Sequence, residues 1–510
     1  MSKLESLKRE YLNYPDTGGV RGTVAGWDAE TALTISESKA NEKSDVLLVD
    51  KIDEAYQKGG YNPWIASNPD SEVQKLLYRS NREGDARLFT AEVKATRADL
   101  FTLAGGDAGI AFGLSYMHES ASDTPDAMTK VLQANGTFKS NIENQGSSEA
   151  AGSRSVKAIY GELALPVLKN IEIQAALRYD HYSDAGGSLN PKLGFAYQPI
   201  DWLKLRGTAT TTFKAPTLQQ TNMRGATAYN NNINDVARCG PLGYGPDKPI
   251  KCKYSAKLYV DGAPDLKPET TTNYTFGMVL QPIEQVSATI DWYSFATKDA
   301  IETLNAQYIL DNEDKDPAMA ALIERAARNP ALEAQYPGLN KGRIVAFKTP
   351  FVNVGQLNVS GIDVDLRFKQ AFEIGKFTLR NQTNFVLTNE SSDIADAAPL
   401  DKLGGLYTPK WRNVFTVGFE TPVWDISAAT TTYASVLDEG DVAKPTNEGR
   451  EIGSYSMVRL SGSYKASKTL RITAGIDNLL DRAGPFSVYL NEYVAGTTGR
   501  SAYVNVTYKF

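Results

Sequence analysis

No run of about 18 consecutive apolar residues, the minimum for a helix that crosses a bilayer, occurs anywhere in these 510 residues. Mean hydropathy is -0.35. The first ten residues, Met1 to Glu10, have neither an apolar core nor a cleavage site, so they are not read as a signal peptide. Basic charge is not in excess either: 54 Lys and Arg stand against 60 Asp and Glu. A net charge of -6 and a pI near 5.4 argue against nucleic acid as a partner. There are two histidines, His118 and His181, and two cysteines, Cys239 and Cys252. No Gly-x-Ser-x-Gly, Walker, zinc-ligand or dinucleotide signature is present, and no cofactor is expected. A Ser-His-Asp hydrolase has histidines available, but the sequence places no serine beside either one.

What the chain does have is alternation with a period of two. The last stretch is the clearest. Ala502, Val504, Val506, Tyr508 and Phe510 share one parity, while Ser501, Tyr503, Asn505, Thr507 and Lys509 share the other. The same pattern recurs at Trp27–Ile35, Ile171–Tyr179, Tyr274–Leu280, Val286–Trp292, Ile362–Phe368 and Leu470–Ile476. About 16 such segments of roughly ten residues are read, the length that crosses a bilayer as a tilted strand. Short connections, such as Pro166–Asn170 and Gln281–Gln285, take turns with long ones, such as Lys39–Gly84, Lys214–Lys267 and Ala300–Leu357. Ser183–Ser188 is counted among the long ones. The fold expected is all-β: an antiparallel transmembrane barrel with tight turns on one rim and long loops on the other.

The polar parity of these strands carries Glu162, Arg178, Asp180, Asp291, Asp363, Asp365 and Arg367, expected to line a lumen and mostly to pair with one another. Asp316 with Pro317 predicts a helix that runs on to Arg328 and stops at Pro330. The acidic stretch Asp311–Asp316 before it reads as a solvated loop rather than a cation site. Tyr229, Asn230, Asn231 and Asn232 are candidates for ligand contact, though a solvated polar loop is the favoured reading. Cys239 and Cys252 share one Gly/Pro-rich stretch, and a disulfide between them is modestly favoured over two free thiols.

Several motifs resemble those of TonB-dependent outer-membrane receptors. Phe213-Lys-Ala215-Pro216-Thr is similar to the family's F-R-A-P-[ST]. Pro264-Asp265-Leu266-Lys-Pro268-Glu269-Thr, followed by Asn273-Tyr274 and Gly277, is similar to P-D-L-K-P-E-x…N-Y-x-x-G. Asn353-Val-Gly-Gln with Gly361-Ile-Asp363 resembles N-x-G…G-[VI]-[DE], and Asp477-Asn478-Leu479-Leu-Asp481-Arg resembles x-N-L-[FL]-[DN]-[RK]. Tyr61-Asn-Pro-Trp64 and Tyr179–Ser183 also match larger members, and Phe510 supplies an aromatic carboxy-terminus. In order and spacing these cover roughly residues 20–510.

The resemblance implies a portion of a 22-stranded barrel. The family's plug, TonB box and signal segment are not found in these residues, so the chain is expected to be a carboxy-terminal fragment, one barrel domain over 1–510 with no plug. Its sheet should then be an incomplete barrel, with a gap between the Trp27 strand and the Phe510 strand. The implied function is TonB-dependent uptake of a scarce nutrient at the Gram-negative outer membrane: a ferric siderophore, cobalamin, haem or oligosaccharide. The implied partners are outer-membrane lipid, the barrel-assembly machinery, a small ligand at the outer loops, and TonB only through a plug. A passive 16-stranded porin is the alternative, and an outer-membrane hydrolase is weaker still. On this reading the chain is not an enzyme.

Overall fold

The structure is a computed structural model. It describes residues 8–509 except 63, 66, 133–137, 144, 147, 236–237, 239–252, 337–338, 340, 393–397, 439–449, 489–491 and 494–498. Cys239, Cys252 and Phe510 therefore lie outside the described residues, and with them the expected disulfide.

One antiparallel meander dominates. Its strands are β1 Lys8–Val24, β2 Trp27–Leu47, β3 Leu77–Leu103, β4 Gly106–Thr124, β5 Ala150–Leu168, β6 Ile171–Tyr182, β7 Gly186–Ile200 and β8 Leu203–Lys214. They continue as β9 Glu269–Ile283, β10 Val286–Thr303, β11 Phe351–Phe372, β12 Gly375–Ser392, β13 Trp411–Glu420, β14 Trp424–Tyr433, β15 Tyr455–Lys465, β16 Leu470–Asp477 and β17 Ser501–Tyr508. Each pairs with its chain neighbour, and the short segment Leu400–Asp401 brings the sheet to 18 strands. Among the described residues no ladder joins β1 to β17, and every residue of β17 is exposed. Among the described residues the Trp27 strand and Ser501–Tyr508 are thus unpaired with each other, as expected, but the open edge beside β17 is that of β1.

The first strand is a correction. Trp27–Ile35 was expected to have no preceding partner, yet β1 pairs with it along its whole length. Pro15, Gly18, Gly19 and Gly22 hide any alternation in β1. Its place is fixed instead by the Ala25–Gly26 turn, where both residues have positive φ (52° and 80°). Such two-residue turns match the twist of paired strands.

Two connections also differ from expectation. The long one read as Lys39–Gly84 shrinks to residues 48–76, because β2 and β3 run on past the end of their apolar alternation. Cross-strand ion pairs hold that extension, Arg79 to Asp45 at 2.7 Å and Arg87 to Glu37 at 3.0 Å. Ser183–Ser188, read as a long loop, is a tight turn between Tyr182 and Gly186, with Gly186 at φ 79°.

Parity sorts the wall into two faces. The positions Leu165, Ile173, Phe195, Gly207, Phe276, Trp292, Ile362, Phe385 and Trp411 stand opposite one another across nine consecutive strands, β5 to β13. Apolar side chains are exposed along this row, which marks the lipid-facing side of a barrel wall. Gly207 belongs to it for want of space: a Cβ there would stand 2.5 Å from the Phe195 ring. The other face carries the charged residues.

The buried apolar cluster is not in the wall. It lies beyond the wall, between the connections 215–268 and 304–350. Segments Ala226–Asn234, Lys253–Val260, Ile344–Lys348 and Ile323–Arg325 form a four-stranded sheet from both connections, joined by a parallel pairing of Lys257–Tyr259 with Ala346–Lys348. Ile233, Ala256, Leu304, Ile309, Ile344 and Phe347 fill the core.

The expected helix from Asp316 to Arg328 is corrected here. Asp316 does cap it, accepting from the Ala318 N–H at 2.8 Å, but the helix stops at Ala320. Ile323–Arg325 becomes a strand instead, paired with Ile344–Phe347. Tertiary pairing here overrides helix propensity.

Candidate functional site

The polar face of the wall is threaded by ion pairs. Arg206 on β8 meets Asp291 on β10 at 2.7 Å, although β9 lies between them. The two residues flank Gly277 in register. A Cβ at Gly277 would come within 1.9 Å of the Asp291 carboxylate. The motif glycine thus leaves the groove in which this pair lies. Gly361 serves in a similar way. The Tyr293 side chain lies over it, so that a Cβ would meet the Tyr293 hydroxyl and the Phe385 carbonyl, each at 2.4 Å. The Asn384 amide then donates to the Tyr293 hydroxyl at 2.9 Å and to Asp363 at 2.8 Å. Asp365 takes both Arg367 (2.8 Å) and Arg380 (2.6 Å), and Arg178 pairs with Asp180 at 2.7 Å. The expected mutual pairing holds for Arg178 with Asp180 and for Asp365 with Arg367, whereas Asp291 pairs with Arg206 and Asp363 accepts from the Asn384 amide. Glu162, on the same face, has no ion pair among the described residues and lines an open hollow of about 330 Å³ with Asp28, Arg97 and Lys192.

At the outer rim the remaining motifs converge into a clasp. Glu269, only 9 % exposed, accepts from Lys214 Nζ at 3.0 Å and from the Ile301 N–H at 3.1 Å. One motif carboxylate thereby holds the ends of β8, β9 and β10 together. Asn353 brackets the Lys267 peptide, accepting from its N–H and donating to its carbonyl, both at 2.8 Å, and donates to the Asp299 carbonyl at 2.9 Å. Between these contacts Leu266 is buried, within the Pro264-Asp265…Pro268 run. Pro216 is fully buried after Ala215, and its carbonyl accepts from Arg154 at 2.5 Å. Phe213 stands edge-on to Tyr182 at 5.6 Å. Asn273 donates to Thr212 at 3.1 Å, whereas Tyr274 is exposed on the apolar face.

The last motif shapes a different turn. Asn478 and Asp481 both have positive φ, 51° and 52°. The Asn478 side chain closes on Arg482, accepting from its N–H at 3.0 Å and donating to its carbonyl at 2.9 Å, while the Leu479 N–H donates to the Val458 carbonyl at 2.8 Å. The Arg500 N–H, 2.8 Å from Asp481, holds that carboxylate below its ordinary pKa.

Above the clasp, Arg325 ties the two connections together. It reaches Asp235, which is 0 % exposed, at 2.8 Å and Glu313 at 2.7 Å, and Lys341 reaches Glu313 at 3.0 Å. Burial works against the Arg325 charge, but its hydrogen bonds to Glu313 and Asp235 outweigh that and raise its pKa. Burial pushes Glu313 up, yet Arg325 and Lys341 bring it below its ordinary value. The acidic stretch read as solvated therefore contains a half-buried, paired member. Among the described residues no group of His, Cys, Asp and Glu has the geometry to hold a metal. Tyr229 stands exposed on the sheet formed by the two connections; the side chains of Asn231 and Asn232 are outside the described set.

Sequence reading missed one pairing. Ser155 does stand beside a histidine, its hydroxyl 3.1 Å from His118 Nδ1 and 3.2 Å from the Tyr116 hydroxyl. No carboxylate bonds that histidine among the described residues, and the pair lies on the apolar parity. The contact comes from register between β4 and β5, which local sequence does not carry.

The family model for the TonB dependent receptor-like beta-barrel matches residues 10–479. The chain belongs to this family. Among curated relatives, it is 23% identical over 390 residues to a probable TonB-dependent siderophore receptor, PirA, of Acinetobacter baumannii, an alignment that covers 72% of this chain and 45% of that protein. It is 21% identical over 415 residues to the ferric enterobactin receptor of Pseudomonas aeruginosa, covering 77% and 47%. The chain thus spans about half the length of these relatives. A crystal structure of a double mutant of the P. aeruginosa ferric enterobactin receptor, PfeA, superposes with a TM-score of 0.65 at 16% identity, over 98% of this chain and 62% of that one. The siderophore receptor PirA of A. baumannii gives 0.60 at 17%, over 98% and 63%. Both likenesses are of fold.

Proposed function

We propose that this TonB-dependent receptor barrel captures a ferric siderophore at its outer rim and takes it up across the Gram-negative outer membrane. The observation that carries the reading is the rim assembly. Two long connections share one core, one parallel strand pair and one ion network built on the buried Asp235, and the motif residues Glu269 and Asn353 clasp them to a wall whose inner face is polar. A passive pore has no need of such a structure at its rim. The names of the two curated relatives, a siderophore receptor and a ferric enterobactin receptor, support the substrate class. Coupling to TonB would run through a plug, and belongs with the uptake activity to the whole receptor.

The test is binding of ferric enterobactin, as probe, to the whole receptor in detergent, followed by intrinsic fluorescence, together with iron-limited growth of cells that lack the gene. Saturable binding and a growth defect rescued by the gene are expected. A steady ion conductance of the closed receptor in planar bilayers, with no binding of any iron chelate tried, would return the porin reading.

A further inference from the structure

At mid-depth the lipid-facing parity is apolar up to β11, where Val364 and Leu366 stand opposite Thr383 and Asn381, and it then changes character. On β12 that parity carries Phe377, Leu379, Asn381, Thr383, Phe385 and Leu387. On β13 it carries Trp411, Asn413, Phe415, Val417 and Phe419. The opposite parity holds Arg380, Gln382, Asn384 and Arg412, which face the polar side with Asp363 and Asp365. Asn381, Thr383 and Asn413 therefore project among the aromatic and aliphatic side chains of the outer face. The row extends across two further strands, because Asn413 stands opposite Thr432 and Thr432 opposite Ser456, with their hydroxyls 2.9 Å apart.

Depth makes this row costly. Asn381 is six residues along β12 from the tight turn at Gly375. At a rise of about 3.3 Å per residue and a tilt near 40°, that is roughly 15 Å above the turn rim, inside an apolar band about 25 Å tall. Phe385 and Trp411 lie above the row and Leu379 and Val417 below it, so it sits within the apolar band rather than at its border.

The cluster satisfies itself only in part. The Asn413 amide donates to Asn381 Oδ1 at 2.9 Å, to Thr383 Oγ1 at 2.7 Å and to the Gln382 carbonyl at 3.3 Å, and Thr383 donates to Asn381 Oδ1 at 3.0 Å. Asn381 Nδ2 and Asn413 Oδ1 reach no partner among the described residues. One amide donor and one amide acceptor are thus left open in one neutral patch on the apolar face, where hydrocarbon offers neither.

We propose that this patch is the contact through which two copies of the receptor pair in the outer membrane. The occupant must supply both an acceptor and a donor at membrane depth, which lipid tails cannot. A second copy turned about a two-fold axis supplies both in reciprocal positions: Asn381 Nδ2 of each copy donates to Asn413 Oδ1 of the other. Self-complementary patches of this kind build isologous dimers. Polar side chains bridge membrane-embedded elements in the same way. The patch lies on β12 to β15, strands bordered by neither β1 nor β17, so pairing here leaves both ends of the sheet clear.

The test uses the whole receptor in native outer membranes, with the photo-crosslinker p-benzoylphenylalanine in place of Phe415, which stands between Asn381 and Thr430. The control position is Leu114, on the same face far around the wall. An adduct of two copies is expected at 415, at least tenfold above that at 114. The double variant Asn381→Leu/Asn413→Leu should lower it at least tenfold while the protein keeps its heat-modifiable folded band on gels. If that variant does not fold, the nearly isosteric Thr383→Val takes its place, with a partial loss expected. Equal labelling at 415 and 114, an adduct with a different protein, or an adduct unchanged in the folded variant would each overturn the proposal.

Discussion

Phe276 and Phe347 are the same residue in two regions of one chain, and they do opposite things. Phe276, on the wall, leaves 45% of its surface open, while Phe347, in the rim assembly, leaves 0%. In the wall an exposed aromatic is the rule, because the surroundings of that face are lipid, and stability there comes from a continuous ladder of backbone hydrogen bonds with register fixed by parity. Beyond the wall the surroundings are water. The connections there can hold a fixed shape only by burying a core of their own, as soluble domains do. One chain therefore follows two solvent rules, and the clasp at Lys214, Glu269, Ile301 and Asn353 is where they meet.

That contrast can be broken most severely in the rim. Arg325→Leu would take from the buried Asp235 the guanidinium that pairs with it, at a cost of about 3–5 kcal/mol to the rim assembly. Proteolytic nicking of the 304–350 connection should rise sharply, while the gel mobility of the folded barrel stays unchanged. Loss of both together would show that rim and wall fold as one unit.

The next largest effect belongs to the wall. Phe276→Lys places a charge on the lipid face and should cost about 2–4 kcal/mol near mid-bilayer, whereas Thr275→Lys, one residue away on the polar face, should be mild. Reversible urea unfolding into lipid bilayers measures both. Equal damage would dismiss the assignment of faces. The same logic applies at Val504 against Asn505 in β17.

Gly361→Ala should cost about 1–3 kcal/mol, because the added methyl meets the Phe385 carbonyl as well as the movable Tyr293 ring. Restoring space with Tyr293→Ala should recover only part of this, since the carbonyl remains. Complete recovery would mean that the ring alone makes the glycine necessary.

The smallest effect expected is one of acidity. Glu313 has a pKa lowered in the folded state, so its contribution is present above its unfolded value near 4.5 and is lost as pH falls through the lower folded one. Hydrogen exchange of residues 304–350, corrected for intrinsic rate, should stay flat from pH 7 to about 5 and quicken below the ordinary carboxylate range. Loosening as pH rises through 7 would contradict the sign.

How much of this was legible beforehand divides along the same line. In the wall, a period of two reports a half-exposed strand directly, so Ile171–Tyr179 and Tyr274–Leu280 could be read from local sequence. β1 could not, because its glycines and Pro15 erase the alternation and only pairing with β2 gives it form. Among the functional residues, Pro264–Glu269 stood out as a motif, but the reason for Glu269 is a backbone N–H at Ile301, thirty-two positions away. The rim assembly was the least legible. Ile323–Arg325 carries helix-forming residues and becomes strand because Phe347 and Asp235 await it, and such long-range partners leave no periodic trace.

The central claim, that one parity of these strands meets lipid and the other a polar lumen, has a direct measurement. Spin labels placed singly from Thr271 to Gln281 in the bilayer-embedded receptor report collisions with oxygen, which partitions into lipid, and with a water-soluble nickel chelate. Oxygen accessibility should peak at Tyr274, Phe276, Met278 and Leu280, and nickel accessibility at Asn273, Thr275, Gly277 and Val279, the two series alternating out of phase. Two series in phase, or a period other than two, would contradict the account.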